Sequence, residues 1–213
     1  MTAPEVELRE AWIRLAGTGH QPHLDHLLGL LRQAHRRYHT ATHVMWVIRH
    51  VDEIAATCVV HDLAAVHAAA LFHDAIYDPR SPTNEADSAA LAVRVLVAIG
   101  WPPDRCLAVR RSIEATAHHT PVGAVHTLDT DVLLDADLAI LASAPAVYTA
   151  YAAGVRSEYS HVSDAEWRTG RASFLHRVLV ADAIFRTPMM RIDHEPRARS
   201  NLAAELSSLQ PGQ

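Results

Sequence analysis

Residues 130–142 read TDVLLDADLAILA, and the placing of the acids in that apolar run decides how the chain folds. At helical spacing, Asp137 has Leu133, Leu134, Ile140 and Leu141 three and four positions away, so its carboxylate projects from the apolar stripe. A lone carboxylate buried there is costly unless a cation or strong donors meet it. Asp135 lies about 200° further round the helix, beside Asp131 and Ala139, and is expected on the wet face. The stretch reads as a helix that carries one acid into the core.

Working outward, the same period recurs along the chain. Apolar spacing predicts helices over residues 4–16, 22–34, 40–57, 62–73, 84–99, 103–117, 130–141, 145–158, 163–185 and 196–208. Stop signals separate them at Gly17-Thr18-Gly19, Asp78-Pro79-Arg80-Ser81-Pro82, Gly100-Trp101-Pro102-Pro103 and Pro121-Val122-Gly123. Alternating apolar and polar runs and Asn-Gly or Asp-Gly turns are scarce, so strands are not expected. The expectation is an all-α helical bundle in a single domain, for which 213 residues suffice. N-terminal helices over 1–35 would pack on a core spanning 36–208, followed by a frayed tail over 209–213.

Composition narrows the function classes. The opening MTAPEVELREAWIRL has acids where a secretory signal needs a basic start and an apolar run, and no uncharged stretch has the length of a membrane span. A cytoplasmic protein without a membrane partner is expected. Cys58 and Cys106 lack metal or redox spacing and read as reduced thiols. The net charge is -5, with scattered arginines, which argues against avid binding to duplex nucleic acid. All 19 basic side chains are arginine, so P-loop and Schiff-base lysine chemistries are excluded. An anionic substrate must be held by arginine, backbone amides or a metal.

Two further segments carry chemistry. In ALFHDAIYD (70–78), His73 and Asp74 close an apolar helix and point about 100° apart, so they can bracket one ion. In RRYHTATHVMWVIRH (36–50), His43 shares a face with Val47 and Ile54, and His39 lies one turn earlier. That HxxxH pair lacks the Glu after its first His that a zinc protease needs, since Thr40 stands there. Periodicity alone leaves His67 open as a ligand too, because it shares an apolar face with Leu63 and Leu71. His61-Asp62 repeats the dipeptide at a helix start, where Asp62 reads as an N-cap.

The order His43, His73-Asp74, Asp137 resembles the pattern of the HD superfamily. More closely, YHTATHV, AALFHDAIYD, TNEADSA, ATAHH, LDADLAILA, YAAGVRSEY, GRASFLHRVL and ARSNLAAEL resemble, in order, the blocks of a bacterial subgroup of HD-type phosphohydrolases. The resemblance covers residues 36–206. It implies an HD-domain-like helical bundle with one divalent ion (Mn, Fe, Co, Ni, Zn or Mg) on His43, His73, Asp74 and Asp137. It also implies metal-activated water attacking a phosphomonoester or phosphoanhydride of a nucleotide or other small metabolite, and it favours His73 over His67.

Further roles follow from the same resemblance. Glu85 matches the acid placed near the attacking water, alongside Asp74; its other reading is a helix N-terminal charge. His118 and His119 are candidates for orienting the phosphate, or else close their helix as cations. Arg36, Arg37, Arg156 and Arg171 are candidates for the phosphate itself, which suits a bidentate guanidinium. Two rival functions remain open: a di-iron oxygenase on the same scaffold, using His118, His119 or His126 as further ligands, and a non-catalytic nucleotide-binding protein. Oligomeric state is unconstrained.

Overall fold

The computed structural model describes residues 2–119 and 127–209. Among the described residues there are eleven α-helices and two 3-10 turns, without a strand, so the fold is all-α as the periodicity predicts. The helices are α1 (Ala3–Ala16), α2 (Gln21–Leu31), α3 (Ala41–Ala55), α4 (Leu63–Phe72), α5 (Asn84–Ala98), α6 (Pro103–Thr116), α7 (Leu128–Leu138), α8 (Pro145–Glu158), α9 (Asp164–Leu179), α10 (Pro188–Asp193) and α11 (Glu195–Leu209). They form two compact units, Met1–Asp137 and Leu138–Gln213, dividing at the last residue of α7. None of the described helices is singly long and apolar enough to cross a membrane.

The first unit is built around α4. Its sequence LAAVHAAALF is apolar on every face, and residues 65–72 are all buried. A helix apolar all round is stable only when enclosed, and α1, α3, α5 and α6 enclose this one, its alanines leaving room for them. Trp12 of α1 meets Phe72 edge-on at 6.2 Å, and Leu8, Leu24, Leu27 and Leu28 of α1 and α2 are buried as well. Each such side chain contributes about 1.5–3 kcal/mol on burial. Asp62 caps α4 as expected, accepting from the Ala65 amide at 3.0 Å. The Asp129 carboxylate in turn accepts from the His61 and Asp62 amides, at 2.9 and 2.8 Å, tying the start of α7 to the start of α4.

One expectation about α7 is overturned. Residues 130–136 are all buried, and Asp135 is 0% exposed rather than on a wet face. Helical periodicity separates inside from outside only for a helix packed on one side, and α7 has no wet side over these turns. Asp137 keeps some access, with its side chain 14% exposed.

In the second unit the expected helix over 163–185 stops at Leu179. Its end is held by side chains from α11. The Arg199 guanidinium donates to the carbonyls of Leu179 and Ala181 at 2.8 and 2.9 Å, and Glu195 accepts from the Ile184 and Phe185 amides. These bonds replace the backbone partners that a continuing helix would supply. After α7 the chain tightens into a 3-10 turn, Ala139–Ala142. The Asn201 amide caps the carbonyls of Leu141 and Ser143 there, at 2.8 and 2.9 Å.

Candidate metal centre

Three local features of the first unit bring four polar side chains to one point. His43 sits in the first turn of α3 on its buried face, with Val44 and Val47. His73 is the C-cap of α4, and Asp74 follows it in the turn. Arg36, 4% exposed, braces that turn by donating to the carbonyls of His39 (2.9 Å), Asp74 (2.7 Å) and Ala75 (2.9 Å). Ser88 of α5 grips it from the other end, accepting from the Ile76 amide and donating to the Ile76 carbonyl. Asp137 arrives at the end of α7.

The approach distances are short. His43 Nε2 lies 3.1 Å from His73 Nε2, 3.2 Å from Asp74 Oδ2 and 3.1 Å from Asp137 Oδ1. His73 Nε2 lies 3.1 Å from Asp74 Oδ2 and 3.5 Å from Asp137 Oδ1. The ligand atoms of His43, His73 and Asp74 all fall within 4.8 Å of one another. His73 Nδ1 faces the Ala70 carbonyl at 2.9 Å, which can only accept, so Nδ1 carries a proton and Nε2 is the ring nitrogen turned into the cluster.

Burial opposes charge on all four groups, but their mutual attraction outweighs it. The carboxylates of Asp137 and Asp74 raise His43, and the same pair holds His73 well above the ordinary imidazole value. His73, with its histidine neighbours, drives Asp74 and Asp137 well below the ordinary carboxylate value. Two carboxylates and two imidazoles at this spacing need positive charge between them, which protons on the imidazoles or a metal ion can carry. The donor set, two nitrogens and two oxygens on a rigid helical frame, fits a divalent ion of borderline hardness.

No family model, curated protein or solved structure matches the chain.

His119, a candidate for the substrate phosphate or a helix-end cation, has its Nε2 3.1 Å from Asp137 Oδ2. His118 is exposed beside it, and His126 lies outside the described residues. Glu85 is half-buried in the first turn of α5, with no hydrogen bond or ion pair among the described residues. His67 is turned away: it is 9% exposed and lies 2.8 Å from Asp52 Oδ1 of α3.

The four arginines part company. Arg36 is the brace just described. Arg37 is exposed in the same unit and donates to the Ala34 and Arg36 carbonyls. Arg156 and Arg171 belong to the second unit, with partners of their own. Arg156 donates to the carbonyls of Tyr159 and Val162 and to Asp164 at 2.7 Å. Arg171, 7% exposed, is paired with Glu205.

Sequence reasoning missed the brace by Arg36 and the contact of His119 with a ligand carboxylate. It also missed the aromatic stack in which His39 lies on Tyr77, with centroids 4.2 Å apart. No local pattern marks any of the three, since each joins separate segments.

Proposed function

We propose that the chain is a metal-dependent phosphohydrolase of the HD superfamily, acting in the cytoplasm on a small phosphorylated metabolite such as a nucleotide. The observation that supports this most is the convergence of His43, His73, Asp74 and Asp137, four acceptor groups from three helices on one point. These residues would hold one divalent ion: Mn, Fe, Co, Ni, Zn or Mg. Such an ion, when bound, supplies a water of lowered pKa, near 7 in favourable sites, and offsets phosphate charge.

The remaining work falls to the chain. Ala70 fixes the His73 tautomer, and Arg36 and Ser88 fix the turn that presents Asp74. Glu85 is assigned as general acid/base. It stands one turn before Ser88 on α5, on the face that meets the His73-Asp74 turn through Ile76. His118 is assigned to the phosphate beside it. With no lysine in the chain, Arg37, an exposed guanidinium next to Arg36, is assigned to the substrate phosphate.

The test is a panel of phosphorylated metabolites assayed with Mn, Co, Ni, Mg and Zn. Metal-dependent phosphate release, lost in His43→Ala and Asp137→Ala, is expected. Glu85→Gln should cut turnover by about 10²–10⁴-fold with metal content unchanged. A melting shift with nucleotides but no turnover would make the protein a binder, and binding of no transition metal would end the hydrolase reading.

A further inference from the structure

We propose that His119 is a positioning residue that restricts Asp137 to one metal-facing oxygen; this rests on the metal-centre reading above. The two oxygens of Asp137 face different partners. Oδ1 lies 3.1 Å from His43 Nε2 and 3.5 Å from His73 Nε2, while Oδ2 lies 3.1 Å from His119 Nε2. A carboxylate only accepts, so the imidazole N–H donates to Oδ2 and that oxygen is turned from the cluster. Asp137 then offers Oδ1 alone, which keeps the site to two imidazoles and two single carboxylate oxygens and leaves coordination positions for substrate and water. Donors behind a ligand act in this way: they orient it and sharpen affinity without touching the ion.

The backbone gives a second, independent mark. His119 has φ +51°, the left-handed region, and is the one non-glycine residue in it among the described residues. That conformation is disfavoured for a residue with a Cβ and persists where surroundings fix it. Here it falls three residues past the end of α6 and aims the ring at α7. A histidine serving as a helix-end cation would have no need of it.

Two variants of the full-length protein separate positioning from folding. His119→Gly removes the imidazole and relaxes the left-handed backbone; His119→Gln keeps an amide donor at about the reach of Nε2. Co²⁺ is the probe, with affinity measured by chelator competition and coordination by visible absorption, alongside the metal-free melting temperature. The expected result is a Co²⁺ affinity weakened about 10–100-fold in His119→Gly, with an altered visible spectrum and no lower melting temperature, and recovery of most of both in His119→Gln. Unchanged Co²⁺ binding in His119→Gly overturns the proposal. So does an equal loss in both variants, or loss of a second equivalent of metal, either of which makes His119 a ligand. If the unaltered protein binds no Co²⁺, the metal-centre reading fails first, and that outcome is read before either variant.

Discussion

Two of the places where the molecule buries charge are built on opposite principles. In the first unit, two carboxylates and two imidazole nitrogens meet as acceptors. In the second, Arg171 meets Glu205 with matched partners: Nε to Oε1 at 2.8 Å and Nη2 to Oε2 at 2.9 Å, a bidentate pair. The Tyr148 hydroxyl donates to the same carboxylate at 2.5 Å, and the Tyr151 hydroxyl accepts from Arg171 Nη1 at 3.3 Å. Burial works against the Arg171 cation, but Tyr151 and Glu205 hold its pKa above the usual value; burial and Glu205 push the Tyr148 hydroxyl far up. The second cluster is neutral and closed, with its donors matching its acceptors. The first sets two carboxylates against two imidazoles, whose positive charge comes from protons or from a metal ion. Burial of charge alone does not mark a functional site.

The contrast breaks most sharply on ligand removal. His73→Ala should abolish stoichiometric metal binding, a larger loss than the roughly 10–100-fold that removing an outer-shell donor costs. Glu205→Ala should leave metal content untouched. Elemental analysis after dialysis reads both, and metal retained by His73→Ala would remove the distinction. On stability the order reverses. Glu205→Ala strands a buried guanidinium and should destabilise the chain by about 3–5 kcal/mol in urea unfolding. Replacing both partners, Arg171→Met with Glu205→Leu, should be near neutral or more stable by up to about 4 kcal/mol. If the double variant is as unstable as the single one, the second cluster does more than neutralise itself.

Ligand addition sharpens the same comparison. Mn²⁺ at 100 times its dissociation constant should stabilise the native state by about 2.7 kcal/mol. Thermal unfolding should show that gain in the Glu205→Ala background and not in His73→Ala. A gain that survives the loss of His73 would place the ion elsewhere.

This asymmetry also explains what the sequence made legible. The helices, and the four acceptor groups, were readable because each is marked by its own neighbours: Asp137 by the leucines one turn away, His73-Asp74 by the end of an apolar helix. Asp135 was misjudged because α7 is enclosed on all sides, which a period of 3.6 cannot reveal. Arg171 reads as a candidate for phosphate because the carboxylate it pairs with, Glu205, is 34 residues away. The end of α9 was hidden in the same manner, resting on Glu195 and Arg199 of α11. Local chemistry is written locally; neutralisation across helices is not.

The smallest effect comes from a pair that lies between the two extremes. Glu5 of α1 is buried, yet its partner Arg32 is 56% exposed, with Nε 2.7 Å from Oε1. The Arg32 hydrogen bond and then the Thr2 amide pull the Glu5 carboxyl from 4.5 down to about 2, against the cost of burial. The folded state therefore holds this group ionised more readily than the unfolded chain. Its contribution is complete above about pH 4.5 and is lost as the pH falls through about 2. The full shift corresponds to about 3 kcal/mol, but water around Arg32 screens the pair, so about 1 kcal/mol is expected. Urea unfolding of the metal-free protein and of Glu5→Gln at pH 7, 4.5 and 3 reads this as a difference: the variant is less stable at pH 7, and the gap narrows towards pH 3 and with added salt. A gap that stays constant with pH would mean that Glu5 acts through packing, leaving Arg171 and Glu205 as the pair whose neutralisation the fold depends on.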